Sequence, residues 1–337
     1  MLNRQAGIHR EILMIFIFLL SFTIGMFGAW FVYRFGNRLG LQDLPNHRSS
    51  HDCAVPKGGG VGILAAFVTY AVFSGLDKSF WLPAFILSLV SFIGDRTELK
   101  PALRLMVQFG CSLVFLGGFF YQDQGVLIYI LIFPLAVFIT GSANFYNFMD
   151  GINGIAGITG ITGFFLLSVY GYMTDAHLNY ILLSTAMAFA CAGFLPFNIP
   201  KAKVFMGDIG SVLLGFVFAC IVVLLSDSLL DFICLAGFLF PFYADELTTM
   251  WVRIRNKEPL KQPHRKHVYQ LLANEYGITH WKISAGYGGV QLAVGIAVIL
   301  LKEYGYIGVL SLLTTCFACF SVFSVILRKN MGKNLRG

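Results

Sequence analysis

The sequence predicts an all-α, polytopic membrane protein, and two observations predict it: the composition and the spacing of the apolar segments. Of the 337 residues, 57% are hydrophobic and only 12% are charged, and the mean hydropathy is +0.74. A soluble globular domain does not need that much apolar surface. We therefore expect residues 1–337 to form a single integral membrane domain with about eleven transmembrane helices.

Eleven apolar windows are candidate membrane spans. They cover residues 11–33, 58–76, 80–94, 104–121, 126–143, 155–173, 179–197, 204–225, 229–249, 283–301 and 305–327. The window at 80–94 is short for a bilayer. The first window is too long for the core of a signal peptide, so we expect it to stay in the protein.

The positive charges predict the orientation. Most of the 24 lysine and arginine residues fall in alternate connections and in the C-terminal tail. Cytoplasmic loops are enriched in these residues, so the C-terminus is expected in the cytoplasm and the N-terminus on the periplasmic side, although Arg4 and Arg10 act against this orientation. The net charge of +7 is explained by loops that face anionic lipid, without a nucleic-acid partner. Polar residues concentrate in the same loops, which places the expected active site on the cytoplasmic face.

The most polar of these loops contains Asn144, Asn147, Asp150 and Asn153. The spacing of three puts the first three residues on one side of a helical turn. Carboxamides and a carboxylate at a membrane boundary are costly unless they bind something or face water. The alternative interpretation is that Asn, Asp and Gly here simply end one helix and start the next.

An earlier loop carries Arg48 and then Lys57 followed by three glycines that begin with Gly58 and Gly59. Backbone N–H groups and a positive charge at the entrance to a helix suit an anion. A flexible loop before a glycine-tolerant helix is the alternative. The segment contains no GxxxxGK[ST] motif, so it is not the phosphate loop of a nucleoside triphosphatase.

Two single carboxylates also lie at membrane boundaries. Asp208 precedes an uninterrupted apolar run, where an unpaired carboxylate would cost about 2–3 kcal/mol on insertion scales. It could bind a metal, cap a helix or pair with Lys203. Asp95 could bind a metal or a proton, or pair with Arg96 or Lys100.

The longest loop contains two histidines and two cations in four residues, from His264 through Arg265 to His267. Such a cluster suits phosphate oxygens, and a generic patch for lipid headgroups is the alternative. The neighbouring cations argue against metal binding by these histidines. Asp245 and Glu246, upstream of this cluster, are interpreted as helix caps or as partners of Arg253.

Together the loops offer acidic and carboxamide oxygens for Mg²⁺, with Mn²⁺ as a substitute, and cations for phosphate oxygens. The residues therefore predict a metal-assisted phosphoryl-transfer site at the inner face of the membrane. Its substrate would be a lipid phosphate or a nucleotide.

Four motifs match a known family in its order along the chain. They are RSSHxxxxPKGGG from Arg48, NFYNFMDGINGIAG from Asn144, KVFMGDIGS from Lys203 and HRKHVYQ from His264. The chain resembles the polyprenyl-phosphate N-acetylhexosamine-1-phosphate transferases, which include the muramyl-pentapeptide translocase and the enzymes that initiate O-antigen, capsule and teichoic-acid linkage units. The pattern is most similar to the O-antigen and capsule initiators.

The resemblance implies transfer of a hexosamine-1-phosphate from a UDP-N-acetylhexosamine, or a 6-deoxy relative, to undecaprenyl phosphate in the bacterial inner membrane. UMP would be released, and the product would be the first lipid-linked sugar of a surface polysaccharide. Some members are dimers, so a homodimer is compatible with it. By the same resemblance, Asn147 and Asp208 hold the metal, and Asp95, Asp150, His264, Arg265 and His267 are catalytic. Arg48, Lys57, Gly58, Gly59, Asn144 and Asn153 would contact substrate.

The chain departs from the family pattern at two positions. Gly94 stands where the family usually has the first of two adjacent aspartates, a residue proposed as the base that deprotonates the lipid phosphate. A phosphate monoester is already mostly dianionic at neutral pH, because its second pKa is about 6, so such a base is dispensable. Asn153 stands where many relatives carry aspartate.

Two other functions are compatible with the sequence. A transporter would place ionisable residues near the bilayer midplane at broken helices. A catalytically silent scaffold would account for Gly94.

Overall fold

The computed structural model describes residues 2–43, 53–97, 99–121, 125–259 and 264–334. This part of the chain is almost entirely helical, which confirms the predicted fold class. The α-helices are α1 (Leu2–Phe35), α2 (Val61–Ser74), α3 (Lys78–Thr97), α4 (Pro101–Phe119), α5 (Val126–Phe148), α6 (Ile155–Met173), α7 (Leu178–Phe194), α8 (Asp208–Leu224), α9 (Leu229–Gly237), α10 (Phe240–Arg255), α11 (Val268–Asn274), α12 (His280–Leu301) and α13 (Gly305–Asn334). Two short strands, β1 (Gln42–Asp43) and β2 (Val55–Pro56), pair antiparallel.

Seven stretches among the described residues are long and apolar enough to cross a membrane. They are Met14–Phe35, Lys78–Thr97, Pro101–Phe119, Tyr129–Phe148, Ile155–Met173, Leu178–Phe197 and His280–Asn330. The last contains both α12 and α13, which are separated by a 3-10 turn at Lys302–Tyr304. The apolar helices α2 and α8 are shorter, at 14 and 17 residues. The chain is therefore a multi-pass membrane protein.

One predicted window is not a single helix. The window at 229–249 contains α9 and the first part of α10, and the helices are separated at Phe238 and Leu239. Pro241 lies in the first turn of α10, where a proline is tolerated because the N–H it lacks would have no partner within the helix. The second helix then extends past the window to Arg255 and carries arginines in its last turn.

The fold is built around α8. Every residue of this helix from Ile209 to Val223 is buried, and the helix packs against α3 and α5. Gly215 allows the close approach to α5, since a Cβ there would lie 2.6 Å from the backbone oxygen of Ser142. Because α8 is central, its first residue, Asp208, lies where the surrounding loops meet.

The loop before α2 is tied to the loop before α8. The backbone N–H of Phe205 donates to the oxygen of Pro56 at 2.8 Å, and the N–H of Gly58 donates to the oxygen of Phe205 at 3.1 Å. Gly207 has a φ of +74°, a conformation that favours glycine, and it turns the chain into α8. These contacts place Lys57 beside the start of α8.

A second polar cluster joins α6, α9 and the turn after α12. Asp231 accepts hydrogen bonds from the hydroxyls of Tyr170 (2.5 Å) and Ser228 (2.6 Å) and forms an ion pair with Lys302 at 2.6 Å. By the alternation of spans, this cluster lies at the opposite end of the helices from Asp208. It offers matched control positions for charge pairs at the site.

Candidate functional site

Asp208 is the centre of a polar cluster whose other members come from four separate parts of the chain. Its Oδ1 accepts a hydrogen bond from Asn147 Nδ2 at 3.0 Å, and its Oδ2 accepts one from Arg104 Nη1 at 2.7 Å. The backbone N–H of Asp208 donates to Asp95 Oδ2 at 3.0 Å. Lys57 Nζ lies 3.7 Å from Asp208 Oδ1. The predicted metal ligands, Asn147 and Asp208, are thus in direct contact.

Lys57 bridges the two carboxylates of this cluster. Its Nζ donates to Asp95 Oδ1 at 2.7 Å while remaining within ion-pair distance of Asp208. Burial alone would lower the pKa of Lys57, but the carboxylates of Asp208 and Asp95 outweigh burial and raise this pKa above its ordinary value. The lysine therefore stays charged, and a fixed cation lies beside the carboxylates.

The local ion pairs given as alternatives for the two boundary carboxylates are not the pairs that the structure shows. Asp208 pairs with Lys57 and Arg104 instead of Lys203, and Asp95 pairs with Lys57 instead of Arg96 or Lys100. The Arg96 guanidinium donates a hydrogen bond to the backbone oxygen of Leu39 and lies over the ring of Phe92. Both carboxylates thus pair with residues distant in sequence, because packing around α8 brings those residues into contact.

Arg104 is a site residue that the sequence reasoning missed. Its guanidinium lies against Gly94, where an added Cβ would be 2.8 Å from Nη2, 2.9 Å from Nε and 3.0 Å from Cζ. The Nε atom is buried and has no hydrogen-bond partner among the described residues. The signal available in the sequence was a lone arginine at the start of an apolar span, nine residues after a boundary aspartate.

Asp150 is half-buried and lies two residues after the end of α5. Burial raises the pKa of Asp150 to about 7, the carboxylates of Asp208 and Asp95 act in the same direction, and the Lys57 ammonium opposes them. The residue is therefore electrostatically coupled to the cluster around Asp208.

Asn144 and Asn153 are not brought into contact with Asp208. Asn144 Nδ2 donates to Gln108 Oε1 at 2.5 Å and to its own helix at Thr140. The backbone of Asn153 lies against α12, where its oxygen accepts from the Ser284 hydroxyl at 2.8 Å. Both residues hold neighbouring helices together, and their contact with substrate stays a prediction.

Asn198 is a second residue that the sequence reasoning missed, and it joins two loops. Its Oδ1 accepts the N–H of Gly154 at 2.5 Å, and its Nδ2 donates to the oxygen of Val204 at 2.9 Å. Gly154 has a φ of +89° at the entrance to α6. The side chain thus fixes the 150–154 turn against the loop that leads to Asp208.

The glycine-rich loop does not offer its amides to an anion. The N–H groups of Gly58 and Gly59 both donate to the oxygen of Phe205, and that of Gly60 donates to the oxygen of Met206. This part of the prediction is wrong, because packing against the α8 loop uses these donors. Contact of Gly58 and Gly59 with substrate stays a prediction, and Arg48 lies outside the described residues.

The segment from His264 to His267 lies beside a buried acidic pair. His267 is only 3% exposed, and its Nε2 is 3.4 Å from Glu246 Oε2 while its Nδ1 is 3.6 Å from Asp245 Oδ1. His264 and Arg265 are partly exposed. Burial, with His267 next, lowers the pKa of His264 to about 4, so its imidazole is neutral at pH 7.

Tyr269 connects this segment to the end of α5. Its hydroxyl donates to the backbone oxygen of Phe148 at 3.0 Å, and its ring stacks on His267 with centroids 5.6 Å apart. Gly151 is required here, since a Cβ at that position would clash with the Tyr269 hydroxyl. The histidine segment is therefore fixed next to the stretch that carries Asn147 and Asp150.

The donor set around Asp208 suits a magnesium ion shared with a substrate. No group of three or more His, Cys, Asp or Glu side chains within the described ranges could form a metal cage. Mg²⁺ usually needs only one or two carboxylates, because waters and substrate phosphates supply its remaining ligands. Asp208 and Asn147 fit that requirement, with Asp95 beside them.

The match to a known family falls on the same part of the chain. A sequence model described as Glycosyl transferase family 4 matches residues 78–226, a range that includes Asp95, Asn147, Asp150 and Asp208.

Three relatives illustrate the similarity. The chain is 31% identical over 253 residues to an undecaprenyl-phosphate alpha-N-acetylglucosaminyl 1-phosphate transferase of Thermotoga maritima, covering 74% of this chain and 77% of the relative. It is 24% identical over 292 residues to a protein of Bacillus subtilis named "Probable undecaprenyl-phosphate N-acetylglucosaminyl 1-phosphate transferase", covering 81% and 80%. A phospho-N-acetylmuramoyl-pentapeptide-transferase of Staphylococcus aureus is 35% identical over 138 residues, 39% of this chain and 41% of the relative.

Proposed function

Because the chain belongs to glycosyl transferase family 4, the polyprenyl-phosphate hexosamine-1-phosphate transferases, we propose that it transfers an N-acetylhexosamine-1-phosphate from a UDP-sugar to undecaprenyl phosphate. An oxygen of the lipid phosphate attacks the β-phosphorus of the nucleotide sugar. The bond from that phosphorus to the bridging oxygen breaks, and UMP leaves with the bridging oxygen. The observation that carries the proposal is the cluster of two carboxylates and two cations around Asp208.

Asp208 and Asn147 would hold Mg²⁺, or Mn²⁺ in its place. A divalent ion bound there supplies positive charge to the diphosphate as negative charge develops on the leaving phosphate. The hydrogen bond from Asn147 Nδ2 to Asp208 Oδ1, at 3.0 Å, supports this assignment because it places the two side chains side by side. To bind the ion, the Asn147 carboxamide would turn its oxygen toward it.

Lys57 and Arg104 are the cations placed to bind phosphate oxygens. They hold Asp208 from two sides, at 3.7 and 2.7 Å, and can exchange that carboxylate for phosphate oxygens as substrate enters. Asp95 orients Lys57 and accepts the Asp208 N–H, so it fixes the geometry of the cluster. The lipid phosphate needs no dedicated base, since it is already mostly dianionic near neutral pH.

The remaining predicted residues complete the site. Asp150 contacts the nucleotide or positions the metal ligands. His264 and Arg265 are partly exposed. During transfer, His264 donates an N–H to the phosphates as a neutral ring and Arg265 stabilises their charge as a cation. His267 is buried between carboxylates, so we assign its contribution to the placement of these two neighbours.

We infer N-acetylglucosamine as the first donor to test, because two of the relatives are named as N-acetylglucosaminyl 1-phosphate transferases. N-acetylgalactosamine and 6-deoxy donors are the other candidates. The lysine and arginine distribution supports a cytoplasmic active face and a cytoplasmic C-terminus. The product would begin a surface polysaccharide such as an O-antigen or a capsule in the inner membrane, and a homodimer stays a prediction.

The test is UMP release by detergent-purified protein with undecaprenyl phosphate, Mg²⁺ and a panel of UDP-N-acetylhexosamines. We expect release with one sugar, dependent on both lipid and metal. No release with any sugar, from protein shown to be folded, would overturn the proposal. Uptake of intact UDP-sugar into proteoliposomes without UMP release would indicate a transporter instead.

A further inference from the structure

Asp245 is a fully buried carboxylate outside the polar cluster around Asp208. Its Oδ1 accepts hydrogen bonds from the N–H of Val268 at 2.8 Å and from the Thr249 hydroxyl at 3.1 Å. Its Oδ2 accepts from the Tyr287 hydroxyl at 2.7 Å and from the N–H of Tyr269 at 3.3 Å. A carboxylate that accepts four hydrogen bonds is held in one orientation, and the same hydrogen bonds hold the four donor groups in place.

Asp245 caps a helix to which it does not belong. The first N–H groups of any α-helix lack partners within the helix, and in α11 those of Val268 and Tyr269 are satisfied by this residue of α10. From the sequence, Asp245 is expected to act as a cap or to pair with Arg253. The cap interpretation holds, but the capped helix begins 23 residues later in the chain.

Arg328 reaches the same segment from the last helix. Its Nη2 donates to the backbone oxygen of Lys266 at 2.6 Å and to the Thr249 hydroxyl at 3.2 Å, while its Nε donates to Ser324 at 3.2 Å. Thr249 thus joins Arg328 to Asp245 through a single hydroxyl. At the preceding residue of α13, the backbone oxygen of Leu327 accepts a hydrogen bond from the Tyr276 hydroxyl at 3.0 Å.

These contacts converge on the backbone that carries the histidine segment. Lys266 lies inside that segment, and Val268 and Tyr269 follow it directly. The side chains of His264 and Arg265 remain partly exposed, whereas the backbone behind them is fixed from α10, α12 and α13. The arrangement separates a rigid support from the groups that would contact substrate.

We propose that Asp245, Thr249, Tyr287 and Arg328 form a loop brace that holds residues 264–269 where His264 and Arg265 reach the substrate phosphates. Asp245 and Arg328 are positioning residues, because they act through the backbone of the segment. The inference rests on the proposed function for its catalytic consequence. Displacing a catalytic group by about 1 Å can lower a rate about a hundredfold, so the brace should control turnover.

The first test compares Arg328→Met with Lys302→Met in UMP-release kinetics. Lys302 also forms a short ion pair, at 2.6 Å to Asp231, but at the other end of the helices. We expect Arg328→Met to lower kcat about ten- to a hundredfold with little change in the KM for UDP-sugar. Arg328→Lys should recover part of the loss. Equal kcat values for the two Met variants, or a higher KM with unchanged kcat, would overturn the brace.

A second measurement does not depend on activity. Amide hydrogen exchange should rise in residues 264–270 of Arg328→Met and Asp245→Asn, while α8 keeps its protection. Exchange that is unchanged in this segment, or raised equally throughout the chain, would overturn the proposal. Thr249→Val and Tyr287→Phe each remove one hydroxyl contact and serve if the first variants do not fold.

The two measurements separate failure of this inference from failure of the proposed function. The brace would be retained and the transferase function rejected if the wild type releases no UMP while the variants still show raised exchange confined to residues 264–270. The transferase function would be retained and the brace rejected if the wild type is active and the brace variants match Lys302→Met in both measurements.

Discussion

The Arg104 guanidinium occupies the space that a side chain on Gly94 would need, and from that position it donates to Asp208 at 2.7 Å. The space that an aspartate side chain at position 94 would fill is therefore taken by the Arg104 guanidinium. Gly94 is buried on α3 and Arg104 lies in the first turn of α4, so this contact lies between the two helices. The departure from the family pattern has a structural consequence inside the site.

Gly94→Ala should reduce activity without unfolding the protein. The added Cβ would lie 2.8 Å from Arg104 Nη2, and the flexible side chain would have to move off Asp208. A hydrogen bond between charged groups contributes about 1.5–3 kcal/mol, so we expect a fall in kcat/KM of about tenfold or more, measured by UMP release. Gly110→Ala is the matched control in α4, because a Cβ there meets nothing within 4 Å. Equal activity of the two variants would contradict the role of this contact.

Asp208→Asn should abolish metal-dependent UMP release. The change removes the carboxylate that faces Asn147, Lys57 and Arg104 while keeping the size of the side chain. Losing an electrostatic group of this kind typically costs about a hundred- to a thousandfold in kcat. Asp231→Asn, in the second polar cluster, is the control for removal of a paired carboxylate. Near-normal turnover of Asp208→Asn would reject the assignment of the metal ligand.

Asp150→Asn should change the pH dependence of stability in metal-free protein. Burial raises the pKa of Asp150 to about 7, against an ordinary value of 3.8, so the folded state binds more protons than the unfolded state between these values. The free energy of unfolding should therefore fall as pH rises through this range. The wild type should lose more thermal stability than Asp150→Asn between pH 5 and pH 8. Parallel melting curves across this range would contradict the raised pKa.

Asn198→Ala should destabilise the loops that Asn198 joins. The substitution leaves the N–H of Gly154 and the oxygen of Val204 without their 2.5 and 2.9 Å partners in a site that is only 6% exposed. Each unsatisfied buried group costs about 1–3 kcal/mol, so thermal unfolding in detergent should shift to lower temperature. Asn256→Ala, at an exposed position, should leave the transition unchanged. Equal melting temperatures would show that Asn198 is dispensable.

The sequence by itself determined the fold class, the helix positions and the loops that carry the chemistry. The length of an apolar run is a local property of the sequence. The windows therefore locate helices wherever one uninterrupted run forms one helix. The window at 229–249 is the exception, since Pro241 begins a new helix inside it. The matched motifs identified Asn147 and Asp208 together, and the structure brings them into contact.

Only the tertiary structure decided which charges meet. Asp208 pairs with Lys57 and Arg104, residues at distances of 151 and 104 positions along the chain, because α8 is central and the surrounding loops converge on its first residue. The amides of the glycine-rich loop likewise donate to the loop before α8, and the His267 ring lies against Asp245. No local sequence pattern predicts these contacts. The energy of an ion pair or a buried hydrogen bond depends on distance and desolvation, and both are set by packing between helices that are far apart in sequence.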